Sequence, residues 1–539
     1  MNNRQLGAHG APGKNPGLYQ VSDFSSERVD EESDGRFGRM FVIGEGRTED
    51  GVEKLQPNPL PRYELRRLGA KGGPLEPKNG PSTGKRNSLA PAGITFLGQF
   101  IDHDITLDVQ SKFSSPQINA ALENARTPNL DLDCVYGGGR EASPYLYQTD
   151  GEGWESARLI EGDRFTGAGA GRNDLQRNSA GRAIIGDPRN DENIFVAQVQ
   201  CAIIRFHNKC VEYLHTKGLE DSEELFEKAR DTTTHYYHRV ILEDFLYRVI
   251  GLDMLQAIAT QGRQYYFPNG FDGKKGWPER PFMPVEFSVA AYRYGHSTVR
   301  DAYVVNAGSG NKKLFDQELR GFHAIPAAQL CDWDWFFVAQ DKTAEQFAHK
   351  IDPFLPDPLF QLPEFAGSER SLASRNLMRG RIFRLPSGES IAKRMIEDGV
   401  HIAYGQAMTD DDMIGQDTAG MPAEVKKLQK KLSGEYALPE TPLWLYILME
   451  AATYGKGFAS KDLQEDHEKK STGGDRLGPV GGRIVGEVLM GLFDHYRDAT
   501  GKGLDYDPDV PSDGDGVRLA GMKFGPRMSM RAMIDFAYS

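Results

Sequence analysis

The stretch "GQFIDHDITLD", Gly98 to Asp108, sets His103 between Asp102 and Asp104 beside a largely apolar run. An imidazole titrates near neutrality and can both take up and return a proton, and a neighbouring carboxylate changes how readily it does so. The apolar residues around them predict a largely buried helix. On that helix Gln99, Asp102 and His103 stand at i, i+3 and i+4 and share one face. Asp104 turns about 100° from His103, toward a different surface. The same letters also fit a polar, partly exposed helix end. Other stretches have a chemical look with a plainer explanation. His235 and His238 in "HYYHRV" have metal-like spacing, but a third ligand is not apparent and an aromatic helix accounts for them. "DYDPDVPSDGDG" near the C-terminus alternates acids like an EF-hand, yet Val510 stands where glycine is needed and Gly516 where the final glutamate belongs. It reads as a surface loop.

The elements that must hold these residues are mainly helical. Ile194 to Leu214 and Thr232 to Ile250 are long and apolar enough for core helices, and "DRLGPVGGRIVGEVLMGLFDHYRD" predicts another. Asp187, Pro188, Asp191 and Glu192 mark the start of the first: a cap, a first-turn proline and acids at the positive dipole end. Up to about Asn87 the chain is rich in Gly, Pro and charge, which predicts an extended arm, with residues 1–60 as arm and 61–539 as one large helical domain with long loops. At 539 residues the chain is long enough to enclose a large prosthetic group. The net charge of −13 is dispersed, with no basic patch for nucleic acid. No window approaches the roughly 20 apolar residues of a membrane span. The N-terminus lacks the apolar core of a signal peptide, so a cytoplasmic or signal-independent location is expected. The four cysteines are too scattered for a disulfide framework or a zinc site.

"GQFIDHDITLD" resembles the distal-helix signature of the animal-type haem peroxidases, the peroxidase–cyclooxygenase superfamily. Five further segments follow in that family's order, from about residue 90 to 390. "TPNLDLDCVYG" resembles its calcium loop, which implies Thr127, the Asn129 carbonyl, Asp131 and Asp133 as ligands, with Asp104 from the distal helix; such a set of oxygens suits calcium. Asp133 stands where the family often has serine. "IGDPRNDENIFVAQ" is similar to the segment bearing the distal arginine, Arg189, and a glutamate, Glu192. "RFHNK" matches another signature, with His207 read as structural. "AAYRYGHSTVR" resembles the proximal segment, which implies His296 as the axial haem ligand, with Arg293 as the peroxidase branch carries it. "RNLMRGRIF" supplies Asn376, the acceptor that orients the ligand's other nitrogen, and Arg379 for a haem propionate.

The resemblance therefore implies haem b and one calcium ion, and a mainly α animal-peroxidase fold. It implies reduction of hydrogen peroxide and oxidation of halide, thiocyanate or phenolic donors through a ferryl intermediate. His103 would be the proton acceptor, Arg189 the cation facing the leaving oxygen, and Gln99 the hydrogen-bonding partner of water or halide. Asp102 and Glu192 match the acids that form ester bonds to haem in many members. Two departures qualify this. Asn193 stands where some members have a methionine that makes a third link, which turns expectation from chloride toward bromide, iodide, thiocyanate or aromatic donors. Thr106 stands where the family often has an acid near a propionate. Low cysteine content and the absent signal peptide resemble a bacterial member more than a secreted animal one. Two rivals remain: a lipid-oxygenating haem dioxygenase, whose tyrosine three residues before the ligand is here Arg293, and a non-catalytic calcium-binding or adhesion protein on the same fold. Tyr292 and Tyr294 flank Arg293, but a one-residue helical shift of about 100° predicts that they miss the same target.

Overall fold

The computed structural model describes residues 37–48, 51, 53–58, 60–77, 87–106, 128–148, 153–268, 281–338, 345–363, 365–415, 418, 420–456, 473–502 and 527–539. Within these the architecture is mainly helical, as expected. The helices that matter for the site are α1 (Arg62–Gly69), α2 (Gly93–Ile105), α3 (Ile194–Thr216), α4 (Ser222–Val240), α5 (Leu372–Ile382), α6 (Leu443–Tyr454), α7 (Pro479–Thr500) and α8 (Met530–Ala537). Four two-stranded pairings pin connections rather than form a layer, among them Phe37–Gly38 parallel to Met283–Pro284 and Asn87–Pro91 antiparallel to Phe347–His349. No described helix is long and apolar enough to cross a membrane.

Helix α3 packs against α2, α4 and α8. Its start differs from the sequence expectation. Asp187 caps a separate 3₁₀ turn, Pro188–Asp191, and α3 is capped by Asn193, whose Oδ1 accepts from the backbone N–H of Phe195 and Val196 at 3.0 Å each. Two caps in seven residues produce a corner, and that corner builds part of the site. Helix α4 begins ten residues before the apolar run suggests, with Asp221 as its cap. It passes into a π-helical turn at Ile241–Leu246 held by Arg239–Glu243 (2.8 Å) and Arg248–Asp244 (2.6 Å) ion pairs.

Helix α6 is buried along nearly its whole length, and an all-round apolar helix of this kind belongs in the centre of a fold. It contacts α5, α7 and the segment before His296. The first turn of α7 has Pro479, and the backbone N–H groups of Val480 and Gly481 donate to the buried Glu450 carboxyl. The N-terminal region is less peripheral than its composition suggests. Residues 37–43 are buried, with Arg39 Nη2 donating to the Phe383 carbonyl at 2.6 Å and the Met40 N–H to Glu286 at 3.0 Å. Helix α1 buries Leu65 and Leu68 and packs on α5. The acid-alternating stretch at 505–516 lies outside the described residues.

Candidate active site

A cavity of about 220 Å³ is lined by residues of α2 and of the segment that carries His296, which also touch each other through Thr95 and Thr298 (2.9 Å). Gln99, Asp102, Glu192 and Asn193 form one wall; Tyr292, Arg293, Tyr294 and His296 form the other; Ile94, Phe96, Phe195, Val249, Leu359 and Leu372 supply apolar surface between them.

The first wall is built by the corner before α3. Four successive side chains of the turn take four different partners. Arg189 pairs with Asp187 at 2.7 Å and donates through Nη2 to the carbonyls of His103 (3.1 Å) and Thr106 (2.6 Å). Asn190 Oδ1 lies 2.7 Å from His103 Nδ1. Asp191 receives Arg177 at 2.8 and 2.9 Å, so its charge is spent on an ion pair rather than on the helix dipole. Glu192 accepts from Gln99 Nε2. Gly321 makes this possible: its N–H donates to the Glu192 carbonyl, and a Cβ there would fall 1.8 Å from the Asp191 carbonyl oxygen.

The shared face expected for Gln99, Asp102 and His103 is thus divided. Gln99 and Asp102 line the cavity, whereas His103 and Arg189, both buried, pack next to that wall without being part of it. Asp102 and His103 are 100° apart on a helix, and the wall takes the Asp102 side. Thr106 hydrogen-bonds to the Asp102 carboxylate and carbonyl at 2.9 Å each, so this departure from the family orients an acid of the wall. Asn193, the other departure, caps α3 and also donates to Gln99 Oε1 at 3.2 Å.

On the second wall, His296 is buried with Asn376 of α5 at 2.9 Å from Nδ1. Turned with Oδ1 toward the ring, the amide accepts the Nδ1–H; that oxygen is buried with no other hydrogen bond among the described residues, so this orientation satisfies both groups. Nε2 then keeps its lone pair for a metal. Arg293 lines the cavity and donates to the Ser288 carbonyl at 2.9 Å. Arg379, one turn after Asn376, is buried but does not line the cavity. The residues present fit a haem: an oriented imidazole, apolar side walls and two carboxylates on the opposing wall.

Tyr292 and Tyr294, expected to miss the target of a tyrosine at position 293, lie nearer the site than a regular helix implies. The segment is a π-helical turn, Glu286–Ala290, followed by a 3₁₀ turn, Ala291–Tyr294, so the regular 100° step does not apply, and both tyrosines line the cavity. The Tyr292 ring stacks on Phe287 at 4.6 Å, and its buried hydroxyl has no hydrogen-bond partner among the described residues. A Cβ on Gly98 would lie 3.9 Å from that hydroxyl, which places it against α2. Burial, then Tyr294 and Asp102, push the phenol well above its usual range, so it stays neutral.

Asp104 faces away from the cavity, as its position predicts, and meets the following loop. Carboxylate oxygens of Asp104, Asp131 and Asp133 lie within 4.8 Å of one another. Oxygens ligating calcium at 2.3–2.6 Å can be no further apart than about 5 Å, so this spacing fits the ion. Burial first, and then Asp133 and Asp131, push Asp104 well above the usual carboxylate range. Leu130 and Leu132, between the acids, have φ of 53° and 60°, which curls the loop around this point. The Asn129 side-chain oxygen is buried without a hydrogen-bond partner among the described residues, an additional oxygen besides the expected backbone carbonyl. Thr127 lies outside the described residues. His238 holds the loop through the Leu130 carbonyl at 2.7 Å, and His207 is held between Tyr136 (3.0 Å) and the Ala157 carbonyl (3.1 Å). Burial lowers both imidazoles to about 4, which suits neutral structural residues.

Sequence reasoning missed Asn190, Gln200, His349 and Arg248. Asn190 sits inside a recognised segment, but its partner is 87 residues away. Gln200 looks like an ordinary polar residue of α3; its Oε1 accepts from Asn190 Nδ2 at 2.8 Å. His349 and Arg248 line the cavity without any local signal.

The family model described as animal haem peroxidase matches residues 117–388, just over half of the chain. A chorion peroxidase of Aedes aegypti is 26% identical over 205 residues, 37% of this chain and 25% of its own length. A peroxidase-like protein of Margaritifera margaritifera is 25% identical over 354 residues, 54% of this chain and 44% of its own. The chain thus spans between a quarter and under half of these relatives' lengths. Among solved structures, peroxidase A from Dictyostelium discoideum aligns with a TM-score of 0.55 at 13% identity, covering 87% of this chain and 90% of that one. The fatty acid alpha-dioxygenase of Oryza sativa aligns with a TM-score of 0.53 at 13% identity, covering 97% and 84%. At such identity these two likenesses bear on the fold, and they agree with the helical architecture described above. The sequence match over more than half its length shows that the chain belongs to the animal haem peroxidase family.

Proposed function

We propose that the protein is a haem peroxidase that reduces hydrogen peroxide and oxidises bromide, iodide, thiocyanate or phenolic donors. The observation that carries this reading is the pair of opposed walls: His296 oriented by Asn376 on one side, and on the other an α2 wall with His103 and Arg189 packed beside it. Haem, when bound at His296, would supply the redox chemistry of peroxide reduction.

The residues of this chain do the rest. His296 holds the iron. His103, buried beside the Asp102 side of the wall, would take a proton from hydrogen peroxide and return it to the departing oxygen once haem and peroxide fill the cavity, a role suited to an imidazole near neutrality. Arg189 is fixed by Asp187 and two carbonyls, so it meets developing negative charge without reorganising, although Asp187 offsets part of its field. Gln99 positions water or halide at the wall. Asp102 and Glu192 would form ester bonds to the haem, Arg293 and Arg379 would support its periphery, and Asp104, Asn129, Asp131 and Asp133, with Thr127, would bind one calcium ion. The test is the visible spectrum of the haem-loaded protein: hydrogen peroxide should shift the Soret band, and bromide or a phenol should restore it. A Soret band indifferent to peroxide would refute the reading.

One observation favours a second reading. The neutral Tyr292 hydroxyl lines an apolar cavity with no hydrogen-bond partner among the described residues; once the peroxide-oxidised haem protein had taken one electron and the phenol had lost its proton, the resulting phenoxyl radical would abstract hydrogen from a lipid such as a fatty acid and re-form the phenol. Oxygen uptake with a fatty acid that is abolished by Tyr292→Phe, with phenol oxidation retained, would establish it; no uptake with the intact protein would remove it.

A further inference from the structure

Three consecutive buried groups run inward from α2: the His103 imidazole, the Asn190 amide and the Gln200 amide, each fully shielded from solvent. Asn190 presents Oδ1 to His103 Nδ1 at 2.7 Å and donates through Nδ2 to Gln200 Oε1 at 2.8 Å. Buried amides in an apolar helix contact are costly unless each bond is made, so this line of polar groups needs an account.

The chemistry of the contact supplies one. An amide oxygen can only accept. At 2.7 Å, a His103 tautomer with its proton on Nε2 would set the Nδ1 lone pair against the Asn190 oxygen lone pairs, a buried repulsion with no compensating bond. With the proton on Nδ1 the bond is made, and Nε2 is left with its lone pair. We propose that Asn190, braced by Gln200, is a positioning residue that fixes the tautomer of His103 so that Nε2 is the proton acceptor. The inference rests on the peroxidase reading, in which His103 is the base, and adds how the fold prepares that base. Nothing in the local sequence indicates it, because Gln200 lies on α3 and His103 on α2, and the 3₁₀ corner brings Asn190 between them.

The probe is cyanide on the ferric, haem-loaded protein. Cyanide arrives near neutrality as HCN and binds iron as the anion, so its proton must pass to a base in the site. Asn190→Leu removes the acceptor, and cyanide association should slow roughly tenfold or more. Asn190→Asp keeps an acceptor and should stay near the wild-type rate. Gln200→Leu should weaken the brace and fall between them, with Gln200→Glu restoring it. Haem content and melting temperature identify any variant that fails to fold, and the Gln200 pair then carries the test. A second readout needs no turnover: with imidazole nitrogens labelled, the His103 signals, identified by their loss in His103→Gln, should show a protonated Nδ1 and an unprotonated Nε2. Equal rates in Asn190→Leu and wild type, equally slow rates in the Leu and Asp variants, or an unprotonated Nδ1 would each overturn the proposal. His103→Leu separates the two levels. If it binds cyanide as fast as wild type, His103 is not the base and the underlying reading fails. If it is slow while Asn190→Leu is fast, only the positioning role fails.

Discussion

Replacing Asp104 with asparagine should have opposite effects on stability with and without calcium. Carboxylate oxygens of Asp104, Asp131 and Asp133 lie within 4.8 Å of one another, and Asp104 is fully buried. At that upper limit of separation, with an effective dielectric of about 20, two ionised carboxylates repel by about 3.5 kcal/mol, so full ionisation would set about 7 kcal/mol or more between Asp104 and its two neighbours. Without the ion the fold escapes part of this by keeping Asp104 protonated, in line with its raised pKa, so the gain from Asp104→Asn in chelator should be a few kcal/mol of the roughly 7 available. With calcium present the sign reverses. Ligand at a thousandfold excess over its dissociation constant stabilises by about 4 kcal/mol, and the variant forfeits much of that because its affinity falls. Thermal unfolding in EDTA and in millimolar calcium provides the assay. Wild type should melt modestly above the variant in calcium and below it in EDTA. A wild-type melting temperature unmoved by calcium, or a variant destabilised in both buffers, would refute the argument.

Three other outcomes follow from particular contacts. Burial pushes the Glu450 carboxyl up to about 8, from an ordinary 4.5, despite the N–H groups of Val480 and Gly481. The unfolded chain therefore loses this proton first, and stability should fall by up to roughly 5 kcal/mol as pH rises through that interval, with the contribution intact below it; Glu450→Gln should flatten the slope in denaturant titrations. Asn193→Met would place a third potential haem link at the wall but remove two cap hydrogen bonds, at a cost of about 1 kcal/mol measurable by chemical unfolding. After peroxide treatment, acidified organic solvent should extract more haem from Asp102→Asn and from Glu192→Gln than from wild type; equal extraction from all three would deny the ester bonds.

Much of this site is legible in the linear chain because its chemistry depends on local spacing. The separation of Asp102 from Asp104 follows from the helical step, and the structure sends one toward the cavity and the other toward Asp131 and Asp133. The core of α3 is equally legible from its apolar run. What stays hidden depends on irregular backbone or distant partners. The start of α3 is obscured because Asp187 and Asn193 are both good caps, and only the intervening corner shows that each serves its own turn. Tyr292 defeats an argument built on a regular helix because the chain there is first over-wide and then tight. Asn190 and Gln200 are ordinary polar residues until the fold opposes them to His103. The first half of α4, "SEELFEKARD", is too polar to announce itself although Asp221 caps it well.

The two walls also differ in when they can exist. The bonds that close the first span 93 and 87 residues of chain, and the bond that orients His296 spans 80. Closing a loop costs only about 0.6 kcal/mol more for each doubling of its length, so neither wall is entropically disfavoured against the other. Their order is set by synthesis instead. The side chains of the first wall have all emerged once α3 is made, with Gly321 closing on their backbone later, while the second wall waits for α5. The cavity is therefore a seam between an earlier and a later piece of chain. A group that binds both edges of such a seam acts as a staple, joining two partial folds as it docks.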